Sequence, residues 1–295
     1  MLDSLTLTTA TMAFRPHKTI VSLYLAIMVM TPLPSYAVLE PALVPGGIAI
    51  VSVKNYTPDT SITFDNRKTT VFKRGDSWYA LAGIPLKAKP GEYQFKIKQQ
   101  DDSTLVARVD VKHKKYQEQH LTIQNKRKVN PNKDDMERIS KERVRKRAAK
   151  NHWSEDYPDL DFIWPVSGEI SSIFGLRRFF NEQERNPHNG LDIAAPEGTD
   201  IKATADGTVI ETGDFFFSGN MVYVDHGQGL ISLYAHLSRI DVKPGDVLRR
   251  GDVLGAVGQT GRVTGAHLHF AVMANGVLVD PVYLLPRQQP TAQLQ

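Results

Sequence analysis

The chain has 295 residues, room for about two domains, and its 41% apolar and 23% charged content excludes a disordered, collagenous or polytopic membrane protein. Cysteine is absent, which excludes a disulfide framework, a cysteine zinc site and a cysteine nucleophile. The net charge of +4 is uneven: Lys112 to Lys150 holds 14 Lys/Arg against 5 Asp/Glu, so the remainder is slightly acidic and a uniformly basic nucleic-acid binder is excluded.

Thr19 to Thr31 is an apolar run of 13 residues, short of the roughly 20 that span a bilayer. Arg15, His17 and Lys18 precede it, and Pro32, Pro34 and the small-residue site Ser35-Tyr36-Ala37 come after. That order predicts a secretory signal peptide over residues 1–37, cleaved after Ala37, with no membrane span left in the mature chain. The competing reading is an uncleaved anchor. The leader before the apolar core is long, and a start at Met12 instead of Met1 would give a signal of ordinary shape.

Residues 38–115 read as strands. IAIVSV comes after Gly46-Gly47, then SITFD (61–65), DSWYA (76–80), GEYQFKIK (91–98) and an alternating run through Val111. Period-two alternation broken by Gly, Pro and Asp predicts a small antiparallel β-sandwich with no catalytic constellation, a binding or positioning module. Residues 116–152 form a basic linker. Asn130-Pro131 supplies an N-cap and a first-turn proline, acids come next, and bases load the far end, the order a helix dipole favours. The expectation is a solvated connecting helix over Pro131 to Lys150, with attraction to an anionic polymer or membrane as the lesser alternative.

Residues 153–286 carry short strands and dense turns, including TVIET (208–212), MVYVD (221–225), LISLYAHL (230–237) and HLHFAVM (267–273). Residues 287–295 read as a flexible tail. Overall the chain is predicted to be mainly β.

Five of the nine histidines fall between His188 and His269. In His188-Asn189-Gly190-Leu191-Asp192, even spacing in extended chain puts His188 and Asp192 on one face with side-chain-free Gly190 between them. In His267-Leu268-His269 both imidazoles share a face while Leu268 points into the core. His236 ends Tyr234-Ala235-His236-Leu237. Each feature alone is more often structural than functional. Together, in a chain without Cys, they supply nitrogen and oxygen ligands suited to zinc, with two histidines to spare for proton transfer. His226, at an expected hairpin turn, is left as structural, and its replacement by Ala is expected to disturb neither zinc content nor turnover greatly.

These residues resemble the signature of the lysostaphin/LytM-type zinc metallopeptidases of bacterial cell walls: His-x-x-x-Asp, a later His in an aromatic-x-His-Leu strand, and a terminal His-x-His. WPVSGEISSIFGLRR (164–178), HNGLDIAAPEGTDI (188–201) and the stretch from Tyr234 to Phe270 match as well, with Asn189 and Ala266 standing where Ser and Pro are common. The front half resembles proteobacterial members, with less distinctive motifs. The resemblance implies an antiparallel β catalytic domain after the sandwich and linker helix. It also implies one zinc held by His188, Asp192 and His269, and proton-handling roles for His236 and His267. Parity does not decide which histidine of the last pair binds metal; the resemblance does.

The function implied by this resemblance is that of a periplasmic zinc metalloendopeptidase. Its substrates would be the peptide stems of peptidoglycan, with D-alanyl–diaminopimelate bridges the expected cross-link and nucleic acid no partner. Three protein ligands leave a fourth position for activated water. His-Glu-x-x-His and Gly-x-Ser-x-Gly are both missing. The rival is a non-catalytic scaffold that activates a separate amidase; members of that kind usually lack the zinc ligands. The front module is further expected to restrain the enzyme, so that a chain starting near Asn151 digests sacculi at least as fast.

Overall fold

The computed structural model describes residues 39–287 and 289. The expected signal peptide, its cleavage site and nearly all of the tail lie outside them. Among the described residues, no helix is long and apolar enough to cross a membrane.

The alternating runs of the front third become strands β1 (Ile48–Val53), β2 (Ser61–Phe64), β3 (Arg67–Lys68), β4 (Thr70–Arg74), β5 (Ser77–Gly83), β6 (Gly91–Lys98) and β7 (Thr104–Val111). They form two antiparallel sheets, ordered β1-β5-β4 and β3-β2-β6-β7. In β6, Phe95 and Ile97 are buried while Lys96 and Lys98 are exposed, the one-sided burial that a half-solvated sheet requires. Phe64 and Phe95, opposite each other on β2 and β6, pack with ring centroids 4.7 Å apart.

The connecting segment is more ordered than a linker. Glu118–Leu121 forms strand β8, a short helix α1 covers Lys126–Val129, and α2 runs over Lys133–Lys150. The helix starts two residues later than the proline suggests, because Asn132 caps it. The Asn132 side chain accepts from the Asp135 amide and the Asp135 carboxylate accepts from the Asn132 amide. That reciprocal pair satisfies two amides otherwise left without partners. Nor is the helix solvated all round. Ile139, Glu142 and Ala149 are buried, and Glu142 accepts from the Phe216 amide at 2.9 Å. Arg138 and Arg145 pair with Asp214 and Glu211. Met136 and Val144, the other apolar positions of its weak stripe, are exposed. Ion pairs, more than an apolar face, hold α2 to the protein.

The remaining strands are β9 (Glu169–Ser172), β10 (Arg177–Phe180), β11 (Gln183–Glu184), β12 (Leu191–Ala194), β13 (Asp200–Lys202), β14 (Gly207–Phe215), β15 (Gly219–Gly227) and β16 (Leu230–Leu237). They continue with β17 (Arg239–Ile240), β18 (Val247–Leu248), β19 (Val253–Ala256), β20 (His267–Ala274) and β21 (Val277–Val279). The large antiparallel sheet runs β18-β14-β15-β16-β20-β12-β9, with β21 also on β20. β13-β19-β17 make a second sheet, and β11-β10-β8 a third in which β8 and β10 are parallel.

The sandwich and the large sheet share one core. Ile48, Phe72 and Leu81 belong to the same buried cluster as Leu230, Val272 and Val279. The Gln228 side chain accepts from the Val71 amide, and Asn275 accepts from the Gly83 amide at 2.7 Å. A Cβ on Gly83 would lie 2.8 Å from the Val279 side chain, closer than packed carbons approach.

Candidate metal centre

Strand pairing assembles the site. In the β12/β20 pair, Asp192 stands directly opposite His269 and Ala194 opposite His267. Side chains of directly opposed residues meet, so residues 77 positions apart touch: His269 Nδ1 is 2.7 Å from Asp192 Oδ1. Between the two histidines, Leu268 is fully buried, as strand parity requires. His188 lies just before β12, fixed by backbone hydrogen bonds to Leu176 and Gly175. Its Nε2 is 3.0 Å from Asp192 Oδ1 and 3.1 Å from His269 Nδ1. Gly190 makes room for this: a Cβ there would fall 2.5 Å from the Phe270 carbonyl oxygen and 2.7 Å from the His269 ring.

The proton count shows what these atoms can hold. His188 Nδ1 faces the Ile173 carbonyl at 2.7 Å, a partner that only accepts, so Nδ1 carries the proton and Nε2 presents a lone pair. That lone pair faces a carboxylate oxygen and a second imidazole nitrogen. With His269 Nδ1 unprotonated as well, three lone-pair atoms lie within 3.1 Å of one another, an arrangement that a bound cation would relieve. Their separations approach the ~3.3 Å edge of a tetrahedron with bonds of about 2.0 Å, and two nitrogens with one carboxylate form a donor set suited to zinc. Among the described residues, His188, Asp192 and His269 are the group able to hold a metal ion.

Burial pushes the His188 imidazole down to about 4. Burial alone would raise the Asp192 carboxyl, but the His188 and His269 rings beside it hold it well below the usual carboxylate range. Both are therefore in the unprotonated form that a metal requires at neutral pH.

His236 and His267 stand beside this triangle. The His236 ring centroid is 4.9 Å from that of His267 and 5.9 Å from that of His269. His236 Nδ1 donates to the Thr260 carbonyl at 2.8 Å, and His267 Nδ1 to the Gly265 carbonyl at 2.8 Å. Both rings thus keep a bare Nε2. That of His267 lies 3.8 Å from Asp192 Oδ1, outside direct contact. Burial, reinforced by His269 and His267, pushes His236 down to about 3, so it is uncharged across the neutral range. His226 lies elsewhere. It is buried in β15 short of the turn, with Nδ1 on the Asp206 carbonyl at 2.6 Å and Nε2 on the Ser232 hydroxyl at 2.7 Å.

Residues 42–114 match the profile described as the peptidase family M23 N-terminal domain, and residues 186–281 match that of peptidase family M23. The fold is also that of a Pseudomonas aeruginosa protein described as an M23 peptidase: TM-score 0.71, 38% identity, covering 85% of this chain and 97% of that one. The chain belongs to peptidase family M23. Among curated relatives, the DD-carboxypeptidase/endopeptidase Mpg of Neisseria meningitidis is 45% identical over 117 residues, 40% of this chain. The peptidoglycan DD-endopeptidase ShyA of Vibrio cholerae is 42% identical over 116 residues, 38% of this chain. The matched stretch spans only 27% of each of those two proteins.

Sequence patterns single out all five residues that the site brings together, but they miss Arg178. Its Nη2 donates to Asp192 Oδ2 at 2.7 Å. A signal is present in Arg177-Arg178-Phe179-Phe180: Phe180 is buried, and parity places Arg178 on its face. Thr260 has no such signal, since it acts through its backbone carbonyl.

Proposed function

We propose that this chain is a zinc metalloendopeptidase that hydrolyses peptide cross-links of bacterial peptidoglycan, with the D-alanyl–diaminopimelate bridge as the bond cut. The observation that carries the reading is the convergence of His188 Nε2, Asp192 Oδ1 and His269 Nδ1, with two further imidazoles presenting bare Nε2 atoms alongside. The M23 relatives named as DD-endopeptidases support the substrate class.

His188, Asp192 and His269 would hold the zinc, which when bound lowers the pKa of water from 15.7 toward 7 and polarises the scissile carbonyl. His236 and His267 handle the proton. With Nδ1 committed to a backbone carbonyl, each ring offers Nε2 to accept a proton as water adds to the carbonyl carbon. The imidazolium then hydrogen-bonds the developing oxyanion, and its proton passes to the amine nitrogen as the C–N bond breaks. One water is consumed, and a carboxylic acid and an amine result, which at neutral pH become a carboxylate and an ammonium as the remaining proton passes between them.

The rival scaffold role is disfavoured because none of the five side chains is missing or turned away. Peptidoglycan as substrate fits export to the periplasm by the 1–37 signal peptide, which forms part of this proposal. The proposal includes no nucleic-acid partner for the basic segment, whose Arg127, Arg138, Lys141 and Arg145 pair with the chain's own acids. The test is digestion of purified sacculi and then muropeptide separation. Cross-linked dimers should convert to monomers, chelator should stop the conversion and added zinc should restore it. Unchanged dimers with zinc-loaded protein would defeat the reading.

A further inference from the structure

The connecting segment reaches the metal ligands. Parallel pairing of β8 with β10 sets Gln119 beside Arg178. Gln119 Oε1 accepts from Arg178 Nε at 3.0 Å and from the Ser172 hydroxyl at 3.3 Å. Arg178 Nη2 donates to Asp192 Oδ2 at 2.7 Å and to Ser172 Oγ at 3.0 Å. Ser172 Oγ in turn lies 3.1 Å from His188 Nδ1. The Arg178 side chain is only 16% exposed, so its charge is committed to Asp192 in a low-dielectric setting where the pairing is strong.

We propose that Arg178 is a positioning residue that leaves Asp192 a single free oxygen for the metal, and that Gln119, contributed by the segment between the two modules, locks Arg178 in place. Gln119, Ser172 and Arg178 all lie outside the two stretches that match the family profiles. This role rests on metal binding at His188, Asp192 and His269. A carboxylate with one oxygen held by a guanidinium keeps one rotamer and one ligating atom; without it, both oxygens compete and the side chain must be ordered when metal arrives. Outer partners of this kind typically carry 10–100-fold in metal affinity. Gln119 fixes the plane of the guanidinium, which otherwise pivots about its remaining contacts.

The test is chelator competition for zinc with the full chain and its Arg178→Ala, Gln119→Ala and Gln119→Glu variants, beside the visible spectrum of each cobalt-loaded form. Arg178→Ala should weaken zinc binding by about 10–100-fold and Gln119→Ala by about tenfold, each altering the cobalt spectrum. Gln119→Glu, which still accepts from Arg178 Nε, should restore both readouts. Should Arg178→Ala fail to fold, the half-exposed Gln119 on its strand edge decides the matter alone. Wild-type affinity and spectrum in folded Gln119→Ala would overturn the role of Gln119, and the same result in folded Arg178→Ala would overturn the whole proposal. A wild-type chain that takes up no zinc would instead overturn the metal reading beneath it.

Discussion

His236 donates through Nδ1 to the carbonyl of Thr260 at 2.8 Å while its own backbone sits at φ +68°. A non-glycine residue in that left-handed region carries strain of about 1–3 kcal/mol, held only where surroundings over-determine it. Here the His236 amide donates to the Ser218 carbonyl at 2.9 Å, and the 258–266 loop holds the ring. The Thr260 hydroxyl donates to the Leu237 carbonyl at 2.9 Å and accepts from the Asn220 amide at 3.0 Å. Replacing Thr260 with Val removes both bonds and loosens the carbonyl that orients His236. Turnover should fall by about tenfold or more while bound zinc stays at one per chain. Full turnover in Thr260→Val would show that the loop does not set the imidazole.

Ligands and proton carriers fail differently. Ala at His188, Asp192 or His269 removes one of three converging atoms, so zinc content and hydrolysis should fall together. Ala at His236 or His267 leaves the triangle intact; zinc should remain while turnover drops by about 10²-fold or more. Metal analysis of each purified variant beside its sacculus-digestion rate separates the classes. Zinc lost from His267→Ala but kept by His269→Ala would reverse the assignment within that pair.

Gly190 is the space between His188 and His269. With an added Cβ only 2.5 Å from the Phe270 oxygen and 2.7 Å from the His269 ring, Gly190→Ala must push β20 away from His188. Overpacking of this kind costs about 1–3 kcal/mol, and the His188–His269 distance should widen. Reduced zinc affinity with a lowered melting temperature is expected; an unchanged chelator-competition curve would show that the strand yields freely.

How legible the site is in the sequence depends on which physical rule carries each residue. Strand parity gives the His267/His269 face, and the absence of a Gly190 side chain gives the His188/Asp192 space. Which strands lie side by side is a long-range property with no local signal, and so is the pairing of Asp192 with His269. The basic segment reads as a solvated linker because its helix has too weak an apolar stripe to advertise burial. It docks instead through Glu142 to a backbone amide and through arginines to Asp214 and Glu211. Partners of that kind are visible only once the fold brings them together. His226 reads as a turn residue because Gly227 comes next, but its ring is buried and bonded at both nitrogens.

That burial gives His226 a pH signature. Desolvation pushes its pKa below the ordinary value of 6.5, so the unfolded chain binds the proton first. Stability from this group is complete above about pH 6.5 and is lost as pH falls below it, by up to about 1.4 kcal/mol per unit until the folded-state value is reached. His188 and His236 act in the same direction. His226→Gln should flatten the fall in stability below about pH 6.5, measured by denaturant unfolding of metal-free protein at each pH. It should also lower stability at neutral pH by about 1–3 kcal/mol through its altered hydrogen bonds, with zinc content unchanged. Parallel profiles for variant and wild type would show that His226 contributes nothing to the acid lability.

The shared core changes what truncation should do. A separable front module on a tether would leave residues 151–295 free to work faster alone. Ile48, Phe72 and Leu81, however, are buried in the same cluster as Leu230, Val272 and Val279. Burying one such side chain is worth about 1.5–3 kcal/mol, so removing three forfeits about 5–9 kcal/mol. That rivals the whole stability of a typical domain, about 5–15 kcal/mol. Starting at Asn151 also deletes α2 with its buried Glu142, strips the partner from the Phe216 amide, and removes Gln119 from Arg178. The fragment should therefore melt far below a chain that starts at Val38, or aggregate, and digest sacculi more slowly. Differential scanning calorimetry and a digestion assay on the two proteins decide it. A fragment that unfolds cooperatively near the longer chain's temperature and cuts at least as fast would mean that the front sandwich only restrains the enzyme, as its sequence suggests.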